Sequence, residues 1–273
     1  MNTILVATDF SKTAASAEDY ASEIALHLGS KLELIHVYQI PVLTGETAAA
    51  MPALDSIEKD SITRLEETAS RIRSSYGNEL DITVAFRSGY SVSETLKQYI
   101  EEKRTDLLVM GIEEAGFLKE KLIGSPTTDI IKMSPCHVLV VHEGTRFKRP
   151  EKILLACDRL EDIKTDSLQL LKELAEVFMA DITFLGIINE HHEKFSETAS
   201  QKIRDMMREI DVAFYEVRAS GVSEEIEKIS RRIEADLVIV IKQRHSLIER
   251  LFHTSTTKSL VYHSNIPLLA LHG

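Results

Sequence analysis

The sequence predicts an α/β protein of two tandem domains, each an open five-stranded parallel sheet with helices on both faces. Three observations lead there. Short, continuous apolar runs alternate with amphipathic stretches. The runs are apolar throughout, as in strands buried on both faces. And one series of elements occurs twice in the same order along the 273 residues.

The first unit opens on Ile4-Leu5-Val6-Ala7-Thr8-Asp9 and the second on Ile153-Leu154-Leu155-Ala156-Cys157-Asp158. A helical pattern follows each, Ala14–Leu28 and about Thr165–Met179. The second strands are Lys31–Val37 and Asp181–Ile188, and the third are Ile82–Phe86 and Val212–Val217. A glycine-containing turn and a helix start come next, with Ser91 and Ser223 as predicted N-caps and acids in the first turn to complement the helix dipole. Fourth strands follow from Thr105-Asp106-Leu107 and Ala235-Asp236-Leu237, and Val138–Val141 and Pro267–Leu271 close the units.

Asp158 stands 149 residues after Asp9, whereas Asp236 stands only 130 after Asp106. The 19 extra residues of the first unit fall after its second strand, in Gln39–Asp55, where the second unit has only Asn189–Ser196. That longer segment reads either as a surface loop or as a flap over a ligand site. The polar stretch His142–Glu151, with Gly144, Pro150 and the basic Arg146, Lys148 and Arg149, reads as a short linker. The units are therefore placed at 1–145 and 150–273. Right-handed crossovers make each sheet doubly wound, with ligands at the carboxyl ends of the strands where strand order reverses.

Bulk properties narrow the function. A formal charge of −11 disfavours binding to nucleic acid or to an anionic membrane surface. No run of about 18 apolar residues marks a membrane span. The chain opens on a strand rather than on a basic, leucine-rich leader, and its two cysteines, Cys136 and Cys157, form no metal-type pair. These features lead to the expectation of a cytoplasmic protein with reduced thiols.

The segment Met110-Gly111-Ile112-Glu113-Glu114-Ala115-Gly116 through Gly124-Ser125, followed by Ser134-Pro135-Cys136-His137-Val138, resembles the universal stress protein domain. The signature of that family is an Asp after strand one and a Gly-x2-Gly-x9-Gly-Ser/Thr loop after strand four. The resemblance covers nearly the whole chain, counted twice. It implies Rossmann-like domains of the adenine nucleotide alpha hydrolase-like type and a stress-response protein of the tandem UspA-like kind. It also implies that strand five of each unit pairs with its counterpart, forming an internal pseudo-dimer, and it leaves a further homodimer open. Nucleotide-binding members hold ATP or a related adenine nucleotide, with magnesium, in the loop. Carried over, the ligand residues of the first domain are Thr8, Asp9, Val37, Met110, Gly111, Gly124, Ser125 and Thr127. The physical logic is that glycines let backbone approach phosphate and that a helix start favours anions.

The first unit departs from the motif at Glu114, where the middle glycine belongs. A carboxylate there opposes a phosphate by about 1–4 kcal/mol at about 4 Å, depending on the local dielectric. Pro126 removes one amide donor but suits the first turn of a helix. In the second unit Ile241 and Thr254 replace the glycines and only Asp158 and Ser255 survive, so no nucleotide site of the family type is expected there. Lys242, Arg244, Arg250 and Lys258 read as another anion site or as a solvated face. His191-His192 reads as a polar loop rather than a metal site, His36 as a packed or hydrogen-bonded strand residue, and Met110 and Met133 also fit the core. No catalytic residue and no metal ligand is assigned. Three readings stay open: a nucleotide-binding regulator with at most slow, incidental hydrolysis, an interaction module with both sites degenerate, and an enzyme of the wider alpha-hydrolase group. The last lacks the SGGxDS loop such enzymes carry after strand one.

Overall fold

A computed structural model describes residues 1–41, 54–112, 126–157, 159–188, 194–218, 222–242 and 266–272. The first unit runs β1 (Thr3–Ala7), α1 (Lys12–Leu28), β2 (Lys31–Gln39), α2 (Leu54–Tyr76), β3 (Ile82–Gly89), α3 (Val92–Lys103), β4 (Leu107–Ile112), α4 (Pro126–Met133) and β5 (His137–His142). The second runs β6 (Lys152–Cys157), α5 (Thr165–Phe178), β7 (Asp181–Ile188), α6 (Glu197–Met206), β8 (Val212–Arg218), α7 (Val222–Ile233), β9 (Leu237–Lys242) and β10 (Leu268–His272). Strands are parallel within each unit. The two sheets merge into one of ten strands, ordered β3-β2-β1-β4-β5-β10-β9-β6-β7-β8. The join is antiparallel, with Leu268 opposite Val140, Leu269 opposite Leu139 and Ala270 opposite Val138.

Two apolar layers cover the sheet. Residues of α1, α2 and α5 build one with Ile4, Val6, Leu139, Leu155 and Leu269, and residues of α3, α4 and α7 build the other with Leu5, Val138, Val140, Leu154 and Val240. Each strand alternates between the layers, which is why the runs had to be apolar throughout.

Helix starts are set by local side chains. Ser11 and Ser91 accept from Ala14 N and Glu94 N as N-caps of α1 and α3. Ser223 is not an N-cap. α7 begins at Val222, and Ser223 lies buried in its first turn. Its counterpart is Ser93, since α3 and α7 are both 12 residues long.

One carboxylate per unit fixes the start of the first strand. Asp106 Oδ2 accepts from Asn2 N (2.7 Å) and Thr3 N (3.1 Å). Asp236 Oδ2 accepts from Glu151 N (3.0 Å) and Lys152 N (3.1 Å), and its Oδ1 accepts from Lys148 Nζ (2.7 Å). Burial would raise the Asp236 pKa, but the bonds from Lys148, Glu151 and Lys152 outweigh it and hold the carboxyl below the usual range. The outer edges are treated alike too. Arg73 donates to Ile82 O (2.9 Å) and Arg204 to Val212 O (3.1 Å), capping the first carbonyl of each edge strand.

The segment between the units is more than a linker. Phe147 packs edge-on against Tyr20 (5.1 Å) and lies 6.2 Å from Phe178, one ring from each unit. Gly144, at φ +78°, donates to Ser16 Oγ.

Two predictions follow from the seams. Asp106→Ala and Asp236→Ala are each expected to lower stability by about 1 kcal/mol, because each removes two hydrogen bonds from exposed or half-buried amides at a strand start; urea unfolding of the full chain measures this. At the central join, His272 N donates to His137 Nδ1 (3.0 Å), which only the neutral ring accepts. Burial and, next, the neighbouring His272 lower the His137 pKa to about 4 from 6.5. The unfolded chain therefore takes up this proton first. Stability is full above pH about 6.5 and falls by on the order of 2–3 kcal/mol as pH drops towards about 4. His137→Gln flattens that slope; an unchanged pH profile of unfolding would contradict the assignment.

Candidate functional site

In the first unit the chain goes outward from β1 to β2 and β3, then returns to lay β4 and β5 on the other side. Strand order reverses between β1 and β4. Ala7, the last residue of β1, lies opposite Ile35 on one flank and Met110 on the other. The turn after β1 and the end of β4 thus meet at the carboxyl edge.

The turn is held by its own side chains. Thr8 N donates to Ile35 O (2.9 Å), and the buried Thr8 Oγ1 accepts from Phe10 N (2.9 Å). Asp9 is exposed, and its Oδ1 accepts from Ser11 N (3.0 Å). Phe10 sits at φ +64°, a left-handed conformation that costs a non-glycine residue about 1 kcal/mol. Packing offsets the cost. The Phe10 ring lies between the His36 imidazole (4.7 Å) and the Arg64 guanidinium (3.9 Å). His36 Nδ1 is 2.8 Å from Thr8 O, a hydrogen bond that ties the ring to the same turn.

Across the crevice, Gly111 is required by close packing. A Cβ there would stand 2.5 Å from the Thr13 carbonyl oxygen of α1. Thr127, buried in the first turn of α4, donates to Gly111 O (3.4 Å). Thr13 Oγ1 donates to Glu143 Oε2 (2.9 Å), which brings the start of the inter-unit segment to the site.

Of the residues expected from sequence, Thr8, Asp9, Gly111 and Thr127 gather around the ends of β1 and β4. Met110 is a buried core side chain, and Val37 lies further along β2, packed against the α3 and α4 layer. Gly124 and Ser125 fall outside the described residues, as do Glu113, Glu114 and Asp158. The basic run Arg244, Arg250 and Lys258, and His191-His192, fall outside them too. Phe10 falls in the Thr8–Ser11 stretch after strand one and Glu143 in the inter-unit stretch, each without an assigned role; Thr13 and Arg64 were not singled out in the sequence, where nothing distinguishes them from ordinary core and surface positions. Among the described residues, no group of three His, Cys, Asp or Glu stands ready to hold a metal. Cys136 and Cys157 are both buried and outside any disulfide, and burial pushes the Cys136 pKa up to about 11.

The second unit fills the matching place differently. By strand register Gly186 occupies the position of His36. The Phe195 ring rests on it, so close that a Cβ on Gly186 would stand 2.6 Å from Phe195 Cζ. Phe195 meets Phe214 edge-on (6.2 Å), Phe214 stacks on Phe184 (5.2 Å), and Phe195 N donates to Glu216.

Comparison with known proteins agrees with this architecture. The universal stress protein family model matches the chain twice, at residues 1–142 and 150–272. Universal stress protein YxiE of Bacillus subtilis is 25% identical over 149 residues, which is 51% of this chain and 98% of that protein. A universal stress protein of Thermus aquaticus is 29% identical over 140 residues, 51% of this chain and 97% of that one. The crystal structure of a universal stress protein from Archaeoglobus fulgidus superposes with a TM-score of 0.76 at 15% identity, covering 99% of this chain and 96% of that one. The chain therefore belongs to the universal stress protein family, with two family domains in tandem.

Gly111→Ala checks the packing role of this glycine. The added methyl must push α1 off β4, at an expected cost of about 1–3 kcal/mol. A lowered thermal midpoint without nucleotide present is the readout; an unchanged midpoint would mean that no such contact exists.

Proposed function

We propose that this tandem universal stress protein is a cytoplasmic stress-response regulator that binds an adenine nucleotide, as its magnesium salt, in the first unit alone. The observation that supports this is the convergence of Asp9, Gly111 and Thr127 at the β1–β4 switch point, immediately before and after the loop that carries Gly124 and Ser125. The glycines and the start of α4 offer backbone amides to phosphate. Magnesium offsets the carboxylates that the loop adds at Glu113 and Glu114. In the second unit Phe195 occupies the carboxyl edge at Gly186, which supports assigning no nucleotide to that half. Two carboxylates beside the crevice, Asp9 and Glu143, accept from Ser11 N and Thr13 Oγ1. We therefore assign binding rather than turnover. No described helix is long and apolar enough to cross a membrane, and the charge of −11 disfavours nucleic acid as a partner.

A second reading is favoured by one observation: Thr13 alone accounts for Gly111. On that reading both units are an interaction scaffold without nucleotide. Calorimetry with ATP and magnesium separates the two. Binding is expected with one site per chain, and Gly124→Asp is expected to weaken it by about tenfold or more with the fold intact. Absence of heat at about millimolar nucleotide would leave the scaffold reading.

A further inference from the structure

We infer that the second unit holds a binding site for a small aromatic zwitterion, of the size and charge pattern of an aromatic amino acid, at the amino ends of its own strands. Because the β5–β10 join is antiparallel, these ends lie on the same end of the ten-stranded sheet as the carboxyl ends of β1 and β4. An open groove of about 410 Å³ lies there, between the starts of β6, β7 and β8 and the last turn of α7. Lys152, Asp181, Thr183, Asp211, Ala213 and Arg232 are among the residues that line it. Its volume is in the range of small-molecule sites.

The duplication supplies an internal comparison. Strand register and the equal lengths of α3 and α7 match Lys31, Glu33, Asp81, Tyr99 and Glu102 of the first unit with Asp181, Thr183, Asp211, Ile229 and Arg232. In the first unit the counterparts of the groove's residues engage one another. Tyr99 reaches the counterpart of Thr183, donating to Glu33 Oε1 (2.9 Å), beneath Arg87 (4.7 Å from the ring centre). Arg87 in turn pairs with Glu102 (3.8 Å), and Lys31 pairs with Asp81 (3.2 Å).

Each change in the second unit removes or inverts one of those groups. Tyr99 becomes Ile229, so the ring is gone. Lys31 becomes Asp181, so that ammonium is gone and two carboxylates, Asp181 and Asp211, mark the strand starts; Lys152, which also lines the groove, is paired with Glu234 (3.3 Å). Glu102 becomes Arg232, so a cation stands where a carboxylate stood, over the exposed Tyr215 ring (5.8 Å). The complement of these changes is one molecule. Its aromatic ring takes the place of Tyr99 against Thr183 and Ala213, its ammonium takes the place of Lys31 beside Asp181 and Asp211, and its carboxylate faces Arg232. A lone ammonium or carboxylate ligand would leave one of the two rims unmatched.

The test is calorimetry and saturation-transfer NMR on the full chain, with L-tyrosine, tyramine and 3-(4-hydroxyphenyl)propionate as probes. L-Tyrosine is expected to bind, and each probe lacking one charge to bind about tenfold more weakly. Ile229→Tyr combined with Thr183→Glu rebuilds the filling of the first unit and should abolish binding. Arg232→Glu, at an exposed position that leaves folding alone, should weaken L-tyrosine by about tenfold, with the ATP response unchanged. Overturning results would be no saturation by L-tyrosine up to about 10 mM, or equal affinity in Arg232→Glu and the parent chain.

Discussion

The antiparallel pairing of β5 with β10 is the constraint on which the rest of the molecule depends. A five-stranded parallel sheet has two edges, and its last strand presents unpaired amides and carbonyls along an apolar run. Pairing Val138–Val140 with Leu268–Ala270 satisfies that edge in both units at once and leaves only β3 and β8 as outer edges. Those outer edges each end on an arginine-capped carbonyl. The pairing also brings α1 and α5 side by side over one face, and Phe147 fills the space between them against Tyr20 and Phe178. The inter-unit segment is thus folded into the seam. Its first residue, Glu143, bonds Thr13 beside the β1–β4 crevice, and its later Lys148 bonds Asp236 in the second unit.

Inside each unit the aspartates explain a pattern that is visible in the chain. The tripeptides Thr105-Asp106-Leu107 and Ala235-Asp236-Leu237 keep their acid because it binds the amides that open β1 and β6. A side-chain oxygen that accepts from two backbone donors cannot become an alkyl group without leaving both unmet. The opening strands and the strands that carry the aspartates are neighbours in the sheet, so the acid fixes their stagger as well as their start.

The strands and their order were legible because continuous apolar runs have one use in a doubly covered sheet, and because the runs occur twice. Helix starts were less so. Ser91 and Ser223 each stand two residues after a glycine, but α7 begins two residues earlier relative to its glycine than α3 does, so the same spacing caps one helix and not the other. Phe147 is a lone aromatic in a charged stretch, and only the meeting of two units gives it a place to pack. Phe10 lies in a left-handed turn that its residue type disfavours. The cause is tertiary, a ring slot between His36 and Arg64 that brings together three separate segments. Gly111 was legible as a glycine that matters. Its reason is the Thr13 carbonyl, which no local pattern reveals.

Duplication lets one backbone be tried twice, and within each unit the carboxyl and amino ends of the strands have moved in opposite senses. At the carboxyl edge the first unit keeps its crevice between Thr8, Asp9 and Gly111, while the second lays Phe195 onto Gly186. At the amino edge the first unit is filled by Tyr99 and Glu33, while the second has shortened both side chains and opened a groove. Neither change touches the ladders, because both act on side chains at strand ends and on helix faces. Filling one end of a unit therefore need not disturb the other, and a tandem chain can hold two unlike sites where a symmetric dimer of one domain would hold two copies of the same site. The asymmetry of the side chains, set on a nearly symmetric backbone, is the physical basis for assigning different ligands to the two halves.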